Sequence, residues 1–231
     1  MSAKRELVSA IRNGLAVHAD PVRAPQMQAY LKTDMPCRGV TVPLQREIVA
    51  RAAESFTIEN FDDWHDTVLE LWRGAGYREE LGCAGFLAGQ SRYRRFQTLA
   101  ALPLYEELIV TGAWWDLVDD VATRRLKPLL LDYPEPTREM MLAWSRSCSL
   151  WKRRSSIICQ VPLKTKTDRK LLYACIEPNL SDGDFFIHKA IGWALRSLAH
   201  VDPDKVVRYV RKNESRLSPL SRREALKNIH S

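Results

Sequence analysis

The segment TGAWWDLVDD holds an aromatic side chain and a carboxylate at a spacing that could serve a reaction. Trp115 and Asp119 are four residues apart, so they share one face of a helix, and Asp116 borders that face. The apolar face of the same helix consists of Trp114, Leu117, Val118 and Val121. A site built here would act through a carboxylate and an aromatic ring. The alternative is a partly exposed tryptophan beside a solvated aspartate.

A second unusual residue is Trp193, in the segment FFIHKAIGWALRSLA. It shares a helix face with Lys189 and Arg196. The apolar face of this segment consists of Ile187, Ile191, Ala194 and Leu198. An aromatic ring between two cations suits a surface that faces DNA, because cations bind phosphates and an indole packs on a sugar or a base. The alternative is an indole covered by the aliphatic stems of its neighbours.

The third unusual residue is Arg154, which falls within an apolar stripe of the segment LWKRRSSIICQV. The stripe consists of Leu150, Ile157, Ile158 and Val161. Burial of a guanidinium is costly unless it is paired. Arg154 therefore either lies at the edge of the stripe and reaches a groove, or meets an internal acid in a structural ion pair. Lys152 and Arg153 add positive charge nearby.

The last segment of interest is SPLSRREALKNIHS, which predicts a short helix. Ser218 or Ser221 can start it, and Glu224, three residues after Ser221, would complete a capping box. Its first two turns hold the cations Arg222, Arg223 and Lys227. They indicate either a phosphate contact at a helix start or a solvated face.

These residues need helices to position them, and the apolar spacing is helical almost everywhere, as at Leu7, Ile11 and Leu15. Prolines and glycines divide the chain into pieces of roughly 10–20 residues, the usual length of a helix. We therefore predict an all-α protein with a single domain over residues 1–231. A recurring period of roughly 35–45 residues favours a HEAT-like α-solenoid over a closed bundle.

The charge is unevenly distributed along the 231 residues, whose formal net charge is +7. Residues 1–150 hold 18 Lys/Arg against 20 Asp/Glu, whereas residues 151–231 hold 17 against 8. A basic region of this kind is typical of a protein that binds a polyanion such as nucleic acid, or an anionic membrane surface. A basic surface that merely keeps the protein in solution is the alternative.

Several classes of protein are excluded by what the sequence lacks. No apolar run approaches the roughly 18 residues of a membrane helix, and the first twenty residues mix charges into apolar positions, unlike a signal peptide. The five cysteines form no C-x-x-C pair, which indicates a reducing, cytoplasmic compartment. Phosphate-loop, dinucleotide-binding and nucleophile-elbow motifs are missing, and the histidines lack metal-ligand spacing. We expect no cofactor and no metal.

The runs ELIVTGAWWDLVDD, FFIHKAIGWALR and LSPLSRREALKNI together resemble the AlkD-like family of bacterial DNA alkylation-repair glycosylases. So do the earlier stretch AYLKTDMPCRGVTVPLQRE and the segment with Leu71, Trp72, Tyr77, Arg78 and Glu79. The resemblance runs in order from about residue 25 to the end of the chain. It implies a HEAT-like α-solenoid that wraps duplex DNA in a basic concave face and hydrolyses the N-glycosidic bond of cationic alkylated purines.

The same resemblance implies roles for individual residues. The Trp-x-x-x-Asp of the family matches Trp115 and Asp119, and its second aromatic residue matches Trp193, so these three are the expected catalytic residues. Its arginine matches Arg154, although the adjacent Arg153 could take that role after a small change of register.

We expect the DNA contacts to be made by Arg154 together with Lys189, Arg196, Arg223 and Tyr30. The resemblance further implies that the damaged base need not be flipped out of the duplex, which would leave room for bulky adducts.

The expected function is therefore a monofunctional DNA glycosylase for base excision repair in the bacterial cytoplasm, acting as a monomer on duplex DNA with N3-alkyladenine or N7-alkylguanine. Two alternatives stay open. One is a non-enzymatic relative that binds distorted or branched DNA, and the other is a HEAT-type scaffold for protein partners.

Overall fold

The computed structural model describes residues 3–229 of the chain, and every regular element among these residues is a helix. The all-α prediction is thereby confirmed. None of the helices in this part of the chain is both long and apolar enough to span a membrane. The residues group into two compact units, whose boundary falls between Leu108 and Ile109. The prediction of a single domain stays a prediction.

In the first unit, Ala3–Val17 (α1) packs against Val42–Ser55 (α3) and Phe61–Arg73 (α4), and Arg78–Ala88 (α5) packs against both α3 and α4. Leu7, Ile11 and Leu15 of α1 are fully buried, as their helical spacing predicts. Two short 3₁₀ turns, Ser91–Phe96 and Leu99–Ala101, precede the helix Leu102–Gly112, within which the boundary between the units falls. The helices are Ala3–Val17 (α1), Arg23–Leu31 (α2), Val42–Ser55 (α3), Phe61–Arg73 (α4), Arg78–Ala88 (α5) and Leu102–Gly112 (α6).

A buried carboxylate fixes the loop before α3. Glu79 accepts hydrogen bonds from the backbone N–H groups of Arg38, Gly39 and Val40, at 2.7–3.2 Å. Gly39 has a φ of +80°, and a Cβ there would lie 2.4 Å from the carbonyl oxygen of Asp20. Only glycine fits this close approach. The Tyr-Arg-Glu segment of α5 is therefore an anchor for the preceding loop.

After Gly112, the described residues of the second unit form eight further helices and a π-helical segment, Val121–Arg125, which joins Trp115–Asp120 to Leu126–Asp132. Short 3₁₀ turns follow two of the helices, at Val161–Lys166 and Glu177–Asn179. The helices are Trp115–Asp120 (α7), Leu126–Asp132 (α8), Pro134–Trp144 (α9), Leu150–Ile158 (α10), Arg169–Ile176 (α11), Phe185–Ala199 (α12), Pro203–Lys212 (α13) and Pro219–Leu226 (α14).

Short polar side chains start several of these helices, as N-cap preferences predict. Ser149 accepts a hydrogen bond from the N–H of Lys152 at the start of α10, and Asp184 accepts from those of Phe186 and Ile187 at the start of α12. The predicted core face of α12 is buried, with Ile187 and Ile191 fully so. Helices α10 and α12, which carry residues of the candidate functional site, therefore each begin at a defined N-cap.

Helices α12 and α14 approach each other closely at Gly192. A Cβ on Gly192 would lie 2.5 Å from the Cβ of Glu224 and 3.2 Å from the carbonyl oxygen of Ser221. The hydroxyl of Ser221 donates to the carbonyl of His188 at 2.9 Å, which ties the two helices together. Glycine at position 192 thus sets the spacing of the pair.

Two sequence-based expectations need correction here. Trp114 is not part of a continuous helix face, because it precedes α7 in extended conformation, with φ −151° and ψ 146°. The capping box of Ser221 and Glu224 is also wrong. Ser218 is the N-cap and accepts from the N–H of Ser221, which lies inside the helix. Pro219 then occupies the first turn, where its missing N–H costs nothing.

Candidate functional site

The position of Trp115 and Asp119 depends on an abrupt start and an irregular end of α7. Before the helix, Ala113 adopts a positive φ of 41°, which ends α6 and turns the chain. Trp115 is then the first residue of α7 and Asp119 lies one turn later. Both side chains are half-buried. Trp115 and Asp119 therefore share one helix face, as predicted, within a single helical turn.

The helical ladder changes directly after Asp119. Residues Val121–Arg125 form a π-helical turn, and the hydroxyl of Thr123 donates to the backbone carbonyl of Asp119 at 2.6 Å. Pro128, shortly downstream, lacks the N–H that would donate to the carbonyl of Arg124, so a regular ladder could not continue through this region. Such π turns are frequent at functional sites, where they reorient a side chain.

Asp119 forms a two-pronged ion pair with Arg154 of α10. The Nε of Arg154 donates to Oδ1 at 2.8 Å, and Nη2 donates to Oδ2 at 2.7 Å. The remaining nitrogen, Nη1, donates to the backbone carbonyl of Phe186 at 2.6 Å. The Arg154 side chain is 6% exposed and that of Asp119 18%. Of the two alternatives for Arg154, the structure shows the internal acid.

The same hydrogen bonds limit how Arg154 could contact a phosphate. The three bonds use three of the five N–H donors that a guanidinium offers. A phosphate contact therefore stays a prediction, and it would have to use the two donors left over. Because the Arg154 fork is planar and both prongs are engaged, its evident effect is to fix the orientation of the Asp119 carboxylate.

Arg153, the alternative to Arg154, has other partners. Its Nη2 lies 3.0 Å from Asp182, and its Nη1 donates to the carbonyls of Ser147 and Cys148. It therefore braces the loops that precede α10 and α12. The residue at the Asp119 carboxylate is Arg154.

Burial raises the pKa of Asp119 above its ordinary value of 3.8. The ion pair with Arg154 opposes this shift, and the nearby Asp116 adds to it. Removal from water disfavours the charged form of a carboxyl group, which is the dominant effect here. An ionised Asp119 is consequently less solvated than a surface carboxylate, and its charge is available to a cationic neighbour.

Three aromatic rings pack beside this ion pair. The centroid of the Phe186 ring lies 5.3 Å from that of Trp114 and 5.1 Å from that of Trp151. The guanidinium carbon of Arg154 lies 5.9 Å from the Phe186 centroid. Phe185, next to Phe186, is 58% exposed at the first turn of α12. The guanidinium that holds the carboxylate therefore lies beside an aromatic cluster that includes Phe186 of α12.

A second cluster lies further along α12, around Trp193. Trp193 packs partly buried on the hydrophobic core of this unit. Lys189 lies 3.0 Å from the carboxylate of Glu224 on α14, and Arg196 donates to the other oxygen of the same carboxylate. The structure thus brings both predicted cations together, on one acid. That acid was expected to cap a helix.

The remaining predicted DNA contacts are exposed residues. Arg223 is exposed on α14, one residue before Glu224. Tyr30 is 71% exposed in α2 of the first unit. Nothing in the geometry assigns either of them to the clusters above, and their contact with DNA stays a prediction.

Sequence reasoning missed the contributions of Phe186, Trp114 and Glu224. The double aromatic Phe185-Phe186 at the start of α12, directly after an Asp N-cap, was an available signal for the first. The role of Trp114 required the break in the helix at Ala113. Glu224 could be recognised only from the packing of α14 on α12.

Within residues 3–229, no group of three or more His, Cys, Asp or Glu side chains converges in a way that could hold a metal ion. The chemistry open to the site is that of an oriented carboxylate, aromatic faces and cations.

Comparison with known proteins bears on the identity of the chain. A family model described as "DNA alkylation repair enzyme" matches residues 11–229. A solved structure of a protein from Enterococcus faecalis, described as a predicted DNA alkylation repair enzyme, is similar with a TM-score of 0.77 and 25% sequence identity. The similarity covers 92% of this chain and 97% of that one. A search of curated proteins found no significant match.

The family model spans nearly the whole of the given sequence, and the similarity to the solved structure covers most of both chains. Both agree with the resemblance drawn from the sequence motifs, and DNA alkylation repair gives a context to the basic last third. This chain, whose second unit holds a carboxylate oriented by an arginine, belongs to the DNA alkylation repair enzyme family.

Proposed function

We propose that the protein is a monofunctional DNA glycosylase. It hydrolyses the N-glycosidic bond of positively charged N3- or N7-alkylated purines in duplex DNA, as a monomer in the bacterial cytoplasm. The observation that carries the proposal is the carboxylate of Asp119, partly desolvated, held in one orientation by Arg154 and one helical turn from Trp115. Membership of the DNA alkylation repair enzyme family supports alkylated DNA as the substrate.

The chemistry requires little acid catalysis. An alkylated purine that carries a positive charge leaves with the electron pair of the glycosidic bond and becomes neutral. Positive charge then develops on the deoxyribose, as in the oxocarbenium-like transition state of glycoside hydrolysis. Water adds its oxygen to the anomeric carbon and releases a proton.

Asp119 suits both needs of this reaction. Its negative charge stabilises the sugar cation as it forms, and a carboxylate oxygen can orient the attacking water and accept its proton. Because Arg154 already holds the group, little reorganisation is needed at the moment of reaction. The aromatic faces of Trp115 and Trp193 add cation–π stabilisation to the sugar.

The cations provide the grip on DNA in this proposal. Lys189, Arg196 and Arg223 contact backbone phosphates, Tyr30 contacts the duplex from the first unit, and the leftover donors of Arg154 reach a phosphate next to the damaged nucleotide. Such contacts fix the register of the protein on the duplex but do not read sequence.

The test is release of base from duplex DNA that carries 7-methylguanine, measured by chromatography against the spontaneous rate in buffer. Undamaged duplex is the control, and binding is measured in parallel over a range of salt concentrations. We expect release only from the alkylated duplex, and affinity that falls steeply with salt. Binding without release would contradict the glycosylase and indicate a DNA-structure binder. Absence of salt-sensitive binding would indicate a protein scaffold.

A further inference from the structure

A carboxylate of the protein itself lies on the face of α12 that carries Trp193. Glu224, from α14, reaches across to Lys189 and Arg196, one on each side of Trp193 along the helix. Its two oxygens are divided between the two cations: Oε1 lies 3.0 Å from the Lys189 ammonium, and Oε2 accepts from the Arg196 guanidinium. One carboxylate thus pairs with both cations.

The three side chains differ in depth. The Lys189 side chain is 39% exposed and that of Arg196 25%, whereas that of Glu224 is 14% exposed. The close approach at Gly192 places the Cβ of Glu224 against α12, so the side chain starts close to both cations. The acid therefore lies beneath two cations that face the solvent.

The charge state of Glu224 is clear. The hydrogen bond from Lys189 lowers its pKa below the ordinary value, with Arg196 contributing, so the group is ionised at neutral pH. The trio carries a net charge of only +1 where the two cations alone would carry +2. A phosphate that approached both cations would have to compete with this carboxylate for them.

We propose that Glu224 lowers the affinity of the α12 face for DNA. It competes with DNA phosphates for Lys189 and Arg196 and thereby weakens binding of that face to any duplex. This inference rests on the proposed function, because it requires that face to contact DNA. Weaker phosphate contacts reduce retention on undamaged DNA, which is the dominant competitor for the cations of a repair enzyme.

The physical basis is the release of counterions. Each cation that neutralises a phosphate increases the affinity for DNA. It also steepens the slope of log affinity against log salt by about one. Cations occupied by Glu224 contribute less than free ones. Loss of the Glu224 charge should therefore tighten binding to any duplex and steepen its dependence on salt.

The experiment compares full-length wild type with Glu224→Gln, which keeps the shape and removes the charge. Affinity for an undamaged duplex is measured by fluorescence anisotropy at several salt concentrations, and folding is checked by circular dichroism and thermal unfolding. Glu177→Gln is the matched control, because it removes one negative charge from a different ion pair, that with Arg216. Glu224→Asp keeps the charge.

We expect Glu224→Gln to bind undamaged duplex at least about threefold more tightly at ~0.1 M salt, with a slope steeper by about one or more. Glu177→Gln and Glu224→Asp should remain within about twofold of wild type. If Glu224→Gln fails to fold, Glu224→Met, which has a similar chain length and no polar group to satisfy, replaces it in the same measurement.

A folded Glu224 variant whose affinity is unchanged, weaker or raised only as much as that of Glu177→Gln overturns the inference. A purely structural role for Glu224 would lower the melting temperature without this gain in affinity. If the proposed function is wrong, the result differs: wild type itself would show no salt-sensitive binding to duplex, or no base release.

Discussion

The carboxylate of Asp119 and the guanidinium of Arg154, 35 residues apart in the chain, form two parallel hydrogen bonds of 2.8 and 2.7 Å. A surface pair of this kind would contribute little to stability, but this one is nearly buried, and its geometry restricts the carboxylate to one orientation. The pair thus places a fixed negative charge one turn from Trp115. Orientation of a reactive group before substrate binds is a principal means by which active sites lower barriers.

Replacement of Asp119 by Asn should separate binding from chemistry. The side chain keeps its size but loses the charge that stabilises the developing sugar cation, so excision of 7-methylguanine should fall roughly tenfold or more. Binding to DNA should change little. Single-turnover excision and DNA-binding titrations measure the two effects.

The control for that variant is Asp116→Asn, which removes a carboxylate from the same turn of helix but not the partner of Arg154. It should retain most of the activity. Equal excision rates for wild type and Asp119→Asn would remove Asp119 from the mechanism.

The rate of excision should depend on pH through Asp119. Since burial raises its pKa above 3.8, the active carboxylate should appear with a midpoint above that value, with the rate rising with pH and then levelling off. Arg154 opposes the shift, so Arg154→Gln should move the midpoint higher, and Arg154→Lys should restore it in part. A midpoint that Arg154→Gln leaves unmoved would contradict the assigned coupling.

The same shift has a consequence for stability. A carboxyl group with a raised pKa in the folded state binds its proton more tightly there than in the unfolded chain. Its contribution to stability is therefore greatest at low pH and declines as pH rises through the folded pKa. Asp119→Asn, which cannot titrate, should lack this decline in unfolding experiments across the acidic range.

Gly192→Ala should disturb the spacing of α12 and α14. The added Cβ would lie 2.5 Å from the Cβ of Glu224, which is fixed by the backbone and cannot swing aside. We expect a loss of about 1–3 kcal/mol in unfolding free energy, as for other overpacked cores. Gly183→Ala is the control, because a Cβ there would meet nothing within 4 Å. Equal melting temperatures for the two variants would contradict the close packing.

Ala113→Gly should leave stability unchanged or raise it by up to about 1 kcal/mol. The positive φ of 41° at Ala113 is unfavourable for an L residue and free of penalty for glycine, which offsets the extra entropy of glycine in the unfolded chain. Ala174→Gly, in the middle of α11, should instead lose about 1 kcal/mol. Thermal unfolding compares them, and an equal loss in both would argue against strain at Ala113.

Local periodicity was sufficient to predict the helical class and much of the core. The buried positions of α1 and α12 follow from spacings of three and four residues, which depend only on the geometry of a single helix. For the same reason, the sequence placed Trp115 with Asp119, and Lys189 with Trp193 and Arg196. The motifs of these segments also indicated the family.

Interactions between distant segments could not be predicted in this way. The sequence left Arg154 with two possible partners, because a phosphate and any of several carboxylates satisfy a guanidinium equally well. Which acid it meets depends on how α10 packs beside α7. Trp114 was misplaced because the break falls at Ala113, which adopts the positive φ itself although Gly112 lies next to it.

Composition and helical spacing by themselves determined that this protein is all-α, basic in its last third, and equipped with an aromatic–carboxylate pair on one helix turn. Only the tertiary structure decided that Arg154 orients Asp119 and that Glu224 holds Lys189 and Arg196. The physical reason is that spacing along a helix is fixed by covalent geometry, whereas the pairing of charges is fixed by which helices pack together and which carboxylates they bring within reach.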